Sequence, residues 1–238
     1  MRRRVGTPGM AGIGLVSALG PGSGSAAVMG GGAAPAPWWF IAGQTCVAAW
    51  QPIGAANLAA SYINLANPGT FDAFPGTAPG WAVGVGWQAN GTTQYLRTGV
   101  IPGSLTWSFF IRGTTSSAVA WWGGSRRGIG TDEFAILAWG GLGERQARYE
   151  NALSIPGGGL AAGIYGFSGL TMYTNGAADP GAFTGNLIAP IELYLLALNN
   201  NGAPSFTGTP VTISAAVVYS TAPTAPEVAA LAARMAAL

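Results

Sequence analysis

Side chains able to transfer protons or attack as nucleophiles are scarce in this chain. It has no histidine and no lysine, which closes His-based triads, histidine metal sites, P-loops and Schiff bases. The acids are Asp72, Asp132, Glu133, Glu144, Glu150, Asp179, Glu192 and Glu227. Asp132 and Glu133 are adjacent, so a strand would point them to opposite faces. Glu144 and Glu150 share a segment with Arg145 and Arg148; if it is extended, both carboxylates fall on one face, where a solvated ion pair accounts for them. A glycoside-cleaving pair of carboxylates is not expected, and the chain reads as non-enzymatic. The single cysteine, Cys46, can form no internal disulfide and is expected as a buried small hydrophobe.

Recognition is open to the aromatic residues. Trp121, Trp122, Trp139, Tyr165 and Tyr173, with Asn175, would suit a sugar site, because aromatic faces stack on apolar sugar faces while an amide fixes hydroxyls. Core packing explains the same alternating aromatics and is the preferred reading. If "AVAWWGG" is a strand, one of Trp121 and Trp122 must face outward, into a sugar groove or a subunit interface.

The elements that would position these residues are short. Strands read in "TWSFFIRGTT", "SAVAWWGG", "DEFAILAWGG", "RQARYENALSI", "GLAAGIYGFSG", "LTMYTNG", "IELYLLALN" and "VTISAAVVYS", each bounded by Gly, Asn, Pro, Ser or Thr. "ASYINLANPG" reads as a further strand ended by a turn, and "GAANLAAS" alternatively as one helical turn. In the last long strand, Val211, Ile213, Ala215, Val217 and Tyr219 are expected to point inward. Thr224 and Glu227 form an S/T-x-x-E capping box before a helix that gathers Val228, Leu231, Ala232 and Met235 on one face. The chain's 238 residues fit one large all-β core.

Residues 1–37, "MRRRVGTPGMAGIGLVSALGPGSGSAAVMGGGAAPAP", carry no period that defines a packed element and read as an extended arm before a domain at 38–238. The stretch imitates a secretion signal, but glycines and Pro8 interrupt its apolar run. Its anchoring candidates are Arg2, Arg3, Arg4, Val5, Ile13 and Leu15; a frayed, solvated terminus is the plainer reading of the arginines. A glycine-rich arm loses much entropy on ordering, so a neighbouring subunit is expected to hold it. Charged residues are only 8% of the chain, too few to keep copies apart, so association with like subunits or other shell proteins is expected. Net charge is +2 with no basic stripe, so nucleic acid is not expected as a partner. Gly, Pro or polar residues break every apolar run before it could span a bilayer. Abundant Ala, Gly, Pro and Arg without lysine point to a GC-rich microbial or viral genome.

The order of motifs resembles the laminin G-like group of the concanavalin A-like lectin/glucanase superfamily. "NGTTQYLRTG" is similar to that family's F-[DN]-G-x-x-x-Y-[LVI] opening, "TWSFFIRG" to its T-[IVW]-[ST]-x-W-[IV] strand, "LTMYTNGA" to its L-Y-[IV]-[ND]-G hairpin and "FTGTPVTISAAVVYSTAPTAPEVAAL" to its closing strand and helix. These cover about residues 61–238. The departures are Gln88 and Ala89, where an apolar residue and an aromatic are usual, and Pro223 in place of leucine. The resemblance implies an antiparallel β-sandwich, or jelly roll, with a short C-terminal helix. The glucanase signature E-x-D-x-x-E is missing, no cofactor is implied, and the family's calcium ligands have no assignable counterparts. Such domains occur in phage decoration and tail proteins, so the expectation is a non-enzymatic virion structural protein on the particle exterior, with a surface glycan as candidate ligand. The alternative is a secreted or cell-surface carbohydrate-binding module.

Overall fold

Glycine, proline and asparagine punctuate the chain into short strands, because each breaks a ladder or supplies a turn. The computed structural model describes residues 36–115, 119–128, 131–139, 144–149, 151–155, 162–180 and 190–238. In chain order these form β1 (Cys46–Trp50), the helical turn α1 (Leu58–Ser61), β2 (Phe74–Thr77), β3 (Gly80–Ala82), β4 (Gly86–Ala89), β5 (Tyr95–Arg97) and β6 (Ser108–Thr115). There follow β7 (Ala120–Gly128), β8 (Thr131–Trp139), β9 (Glu144–Tyr149), β10 (Asn151–Ile155), β11 (Gly163–Ser168), β12 (Thr171–Thr174) and β13 (Ala177–Ala178). The last elements are β14 (Tyr194–Leu195), β15 (Leu198–Asn200), β16 (Ala203–Ser205), β17 (Val211–Tyr219) and α2 (Ala225–Ala236).

One sheet runs β13-β12-β11-β6-β17-β4-β3, with β1 added on β17; the other runs β10-β9-β8-β7-β14-β5-β2, with β15 and β16 joined through β7. Between them Trp50, Trp87, Phe109 and Phe167 of the first sheet meet Leu96, Trp122, Phe134 and Ile136 of the second in one core. The protein is therefore a β-sandwich closed by a C-terminal helix. Arg2, Arg3, Arg4, Val5, Ile13 and Leu15 lie outside the described residues. Among the described residues no helix is long and apolar enough to cross a membrane.

The first sheet is buried on both faces at one end. Phe110, Ile164, Tyr173, Val217 and Tyr219 point away from the sandwich core into a second one, with Trp38, Ile41 and the Val228, Leu231, Ala232 and Met235 face of α2. The helix starts where its sequence says: the Thr224 backbone N–H donates to Glu227 Oε2 at 2.7 Å, and Gln44 Nε2 donates to the same oxygen at 3.1 Å. Bonds from Thr224 hold the Glu227 carboxyl below the usual carboxylate range.

The inward set of β17 differs from the alternation expected. Val211 and Ile213 do enter the sandwich core, but Ala216 and Val218 follow them, while Ala215, Val217 and Tyr219 belong to the second core. The cause is a β-bulge: β6 residues Gly113 and Arg112 oppose Ile213 and Ala215, so Ser214 is an extra residue and every later side chain changes face. The bulge falls where the neighbour of β17 changes from β4, which ends its pairing at Ile213, to β1, which begins at Ala216. Gly86 permits this junction, since a Cβ there would lie 2.3 Å from the Ile213 carbonyl oxygen.

Three apolar runs also divide differently from their simplest reading. "ASYINLANPG" is not a strand: Asn57 Oδ1 accepts the Ala60 N–H at 2.8 Å and starts α1, which fits the helical-turn alternative. "RQARYENALSI" is a hairpin, with Tyr149 paired to Asn151, and not one extended stretch. Glu150 lies outside the described residues. "IELYLLALN" breaks at Leu196, whose φ of 68° reverses the chain. Tyr194 and Leu195 therefore pair antiparallel to β7, whereas Leu198, Asn199 and Asn200 run parallel to it. This pair departs from an otherwise antiparallel architecture, and buried Leu196 is held by the bond its N–H donates to the Trp122 carbonyl.

Cys46 packs against the second core, and its thiol contacts the Ala48 carbonyl oxygen at 3.7 Å. Burial pushes the thiol from its ordinary value of 9.0 to about 12. A neutral thiol is thus favoured by the fold, so this group's contribution to stability is complete below about pH 9 and is lost as pH rises towards 12. A disulfide reagent at pH 8 is expected to leave the native thiol unmodified and to react once the chain is unfolded in guanidinium.

Candidate functional site

Helix α2 covers only part of the outer face of the first sheet. Along β6 the outward positions include Phe110, Arg112 and Thr114; Phe110 lies in the second core with the helix, whereas Arg112 and Thr114 line an open cleft of about 380 Å³. Its floor continues through Thr212 and Ser214 of β17, Ile164 of β11 and Asn175. Ala236 at the end of α2, Ile53, Gly84 and Val85 complete the wall.

Local sequence fixes each part. The bulge presents Ser214, whose Oγ donates to the Arg112 carbonyl at 3.1 Å, tying the strands under the cleft. Asn175 and Gly176 form the tight turn between β12 and β13 with φ of 49° and 85°, as the "TNG" sequence predicts. The Asn175 backbone N–H donates to the Ile164 carbonyl at 2.7 Å, and its Oδ1 accepts the Ile164 N–H at 2.9 Å. That carboxamide oxygen is committed to the backbone.

Most charges elsewhere are matched, Arg234 excepted, whose Nε is buried without a partner. Arg97 donates to Glu192 through Nε at 2.9 Å and Nη2 at 2.6 Å, and its guanidinium lies 5.0 Å from the Phe74 ring centroid. Arg126 pairs with buried Glu133 at 3.2 Å, donates to Asn200 Oδ1 at 3.0 Å and sits 5.9 Å from the Trp121 ring centroid. The other described carboxylates are engaged too: Asp72 accepts the Asn64 and Gly69 N–H groups, Asp179 accepts from Thr174 Oγ1, and Glu227 caps α2. The guanidinium of Arg112, by contrast, makes no hydrogen bond or ion pair to a described residue, and its Nη1 is buried without a partner. Among the described residues no three histidine, cysteine or acidic side chains gather as metal ligands.

Of the six residues singled out as a sugar platform, the five with described side chains do not converge. Trp122 and Tyr165 stack on each other in the sandwich core, with centroids 4.9 Å apart. Tyr173 lies in the second core beside Phe110. Trp121 does face away from the sandwich core, yet it is only 7% exposed and packs with Ala135, Leu137 and Leu198 on the far side of the second sheet. Trp139 ends β8, and its side chain, like those of Asp132 and Glu144, lies outside what is described. Of the five whose side chains are described, Asn175 alone lines the cleft. Nothing local in the sequence marks Arg112 for the cleft, because nothing local marks the end of the helix's cover.

The chain matches no protein-family model, and no curated protein is similar to it in sequence. In fold it is similar to Trypanosoma rangeli sialidase, with a TM-score of 0.54 at 13% identity over 79% of this chain and 32% of that one. The same sialidase in complex with sialic acid gives 0.53 at 14% identity over the same shares. The binding domain of botulinum neurotoxin serotype D gives 0.56 at 7% identity over 80% of this chain and 51% of that one. The chain thus spans about a third of the sialidase and about half of the toxin domain. At these identities the likeness is one of fold alone.

Proposed function

We propose that the protein is a non-enzymatic display and recognition module: a concanavalin A-like, laminin G-like sandwich on the exterior of a virion, of the phage decoration or tail type, held to neighbouring subunits by residues 1–37 and binding a surface carbohydrate through the cleft at Arg112. The cleft carries the reading. Its lining holds three hydroxyls, one amide and one permanently charged guanidinium, a set suited to fixing a ligand's polar groups and not to passing protons near neutral pH. The sandwich type is supported by the order of the sequence motifs and by the capped helix that follows the last strand. The low charge supports association.

Light scattering of the full chain tests the structural part: an oligomer of defined size is expected, and a monomer would overturn subunit anchoring. A glycan array probed with the same chain tests recognition, with at least one retained sugar expected. Because the fold neighbours include sialidases, a fluorogenic sialoside is the apt turnover assay. It is expected to stay intact, and release of its fluorophore would refute the non-enzymatic reading. A monomeric carbohydrate-binding module is the second reading, supported by the fold likeness to a toxin binding domain; monomer with array binding would select it.

A further inference from the structure

We infer that the cleft is a carboxylate site in which Arg112 sets specificity for an acidic sugar over its neutral counterpart. This rests on the recognition reading above and names its ligand class. A guanidinium in a partly closed, largely apolar cleft is expected to find a counter-charge, as Arg97 and Arg126 do with Glu192 and Glu133. Arg112 has none, although the fork of a guanidinium matches a carboxylate in geometry and charge. The C-terminal end of α2 reaches the cleft wall at Ala236 and carries about half a negative charge, which offsets the cation only in part and gives it no hydrogen bond. Thr114, Thr212 and Ser214 share the floor, so hydroxyl groups of a sugar ring have partners beside the cation, while Ile164 offers an apolar surface to the ring's carbon face. A bound carboxylate would supply acceptors to the guanidinium where it lines the cleft.

Glucuronate and glucose are the probes, because they differ only in carboxylate against hydroxymethyl at one carbon. Titration calorimetry of the full chain is expected to show glucuronate bound at least about tenfold more tightly than glucose, the value of one charge-assisted hydrogen bond. Arg112→Gln is expected to remove that preference, and Arg112→Lys to restore it in part, since lysine keeps the charge and loses the fork. Thermal unfolding separates this role from a structural one: with Nη1 buried and unpartnered, Arg112→Gln should melt at or above the temperature of the parent chain. Equal binding of the two sugars, or glucuronate binding undiminished in Arg112→Gln, would overturn the carboxylate assignment and leave carbohydrate recognition standing. Failure to bind glucuronate overturns it as well; the array then decides separately whether recognition survives on another sugar.

Discussion

Val217→Asp should yield no soluble, cooperatively melting protein. Val217 has no exposure and lies opposite Phe110 on β6 and Ala49 on β1, within the second core that seats α2. The described carboxylates all have donors, but none of the apolar side chains around Val217 offers one to a new aspartate. The fold must either bury an unpaired charge or release the helix and the Trp38–Ile41 segment that share this core, and burial of an unsatisfied charge belongs to the substitutions that cost upwards of about 4 kcal/mol. Soluble yield and a circular-dichroism melt check the result. Arg97→Gln is the contrast: it removes one arm of an exposed ion pair and should change stability by no more than about 1 kcal/mol. A Val217→Asp chain that melted normally would mean that α2 and the Trp38–Ile41 segment do not cover this face of β17.

That bulge also shows where the sequence stops being readable. "VTISAAVVYS" carries apolar residues on both faces, because β17 is covered on one side by the opposite sheet and on the other by α2. Such a strand reads as a near-continuous run, and period-2 alternation no longer reports which face is inward. Small Ser214 and Ala215 then allow either register, and the junction of β4 with β1, a long-range feature, decides. The helix was legible because its signals are local: Thr224, Pro226 and Glu227 specify a start whatever surrounds them. The "TNG" turn was legible for the same reason. Leu196 was not, because nothing in "YLLAL" marks one leucine for a positive φ; tertiary burial holds it there. The aromatic residues showed their type but not their neighbours, and the candidate cleft comes from the length of α2 set against the length of β6.

Asn64→Ala should cost upwards of about 3 kcal/mol, far more than the same change at Asn57, since it leaves one buried and three partly buried backbone groups unpaired at once. Asn64 is fully buried. Its Oδ1 accepts the N–H groups of Ala49 at 2.8 Å and Ala66 at 3.0 Å, and its Nδ2 donates to the carbonyls of Val47 at 3.1 Å and Thr70 at 2.8 Å. The side chain is therefore a four-way clamp between β1 and the loop leading to β2, and Asp72 fixes it by accepting the Asn64 backbone N–H at 2.7 Å. An aspartate at position 64 could accept the same two bonds but could not donate, and it would face Asp72 across one backbone amide, so it should rescue little. Asn57 caps α1 at the surface, where water replaces the lost acceptor, and its alanine variant should lose only about 1 kcal/mol. Urea unfolding of the two alanine variants checks the ranking. The physical ground is the asymmetry of hydrogen bonding: each bond is worth little when made, but a buried donor or acceptor left without a partner forfeits its full solvation. Equal midpoints would mean that water enters the β1 loop in place of the carboxamide, and that this edge of the sandwich is held by β1–β17 pairing alone.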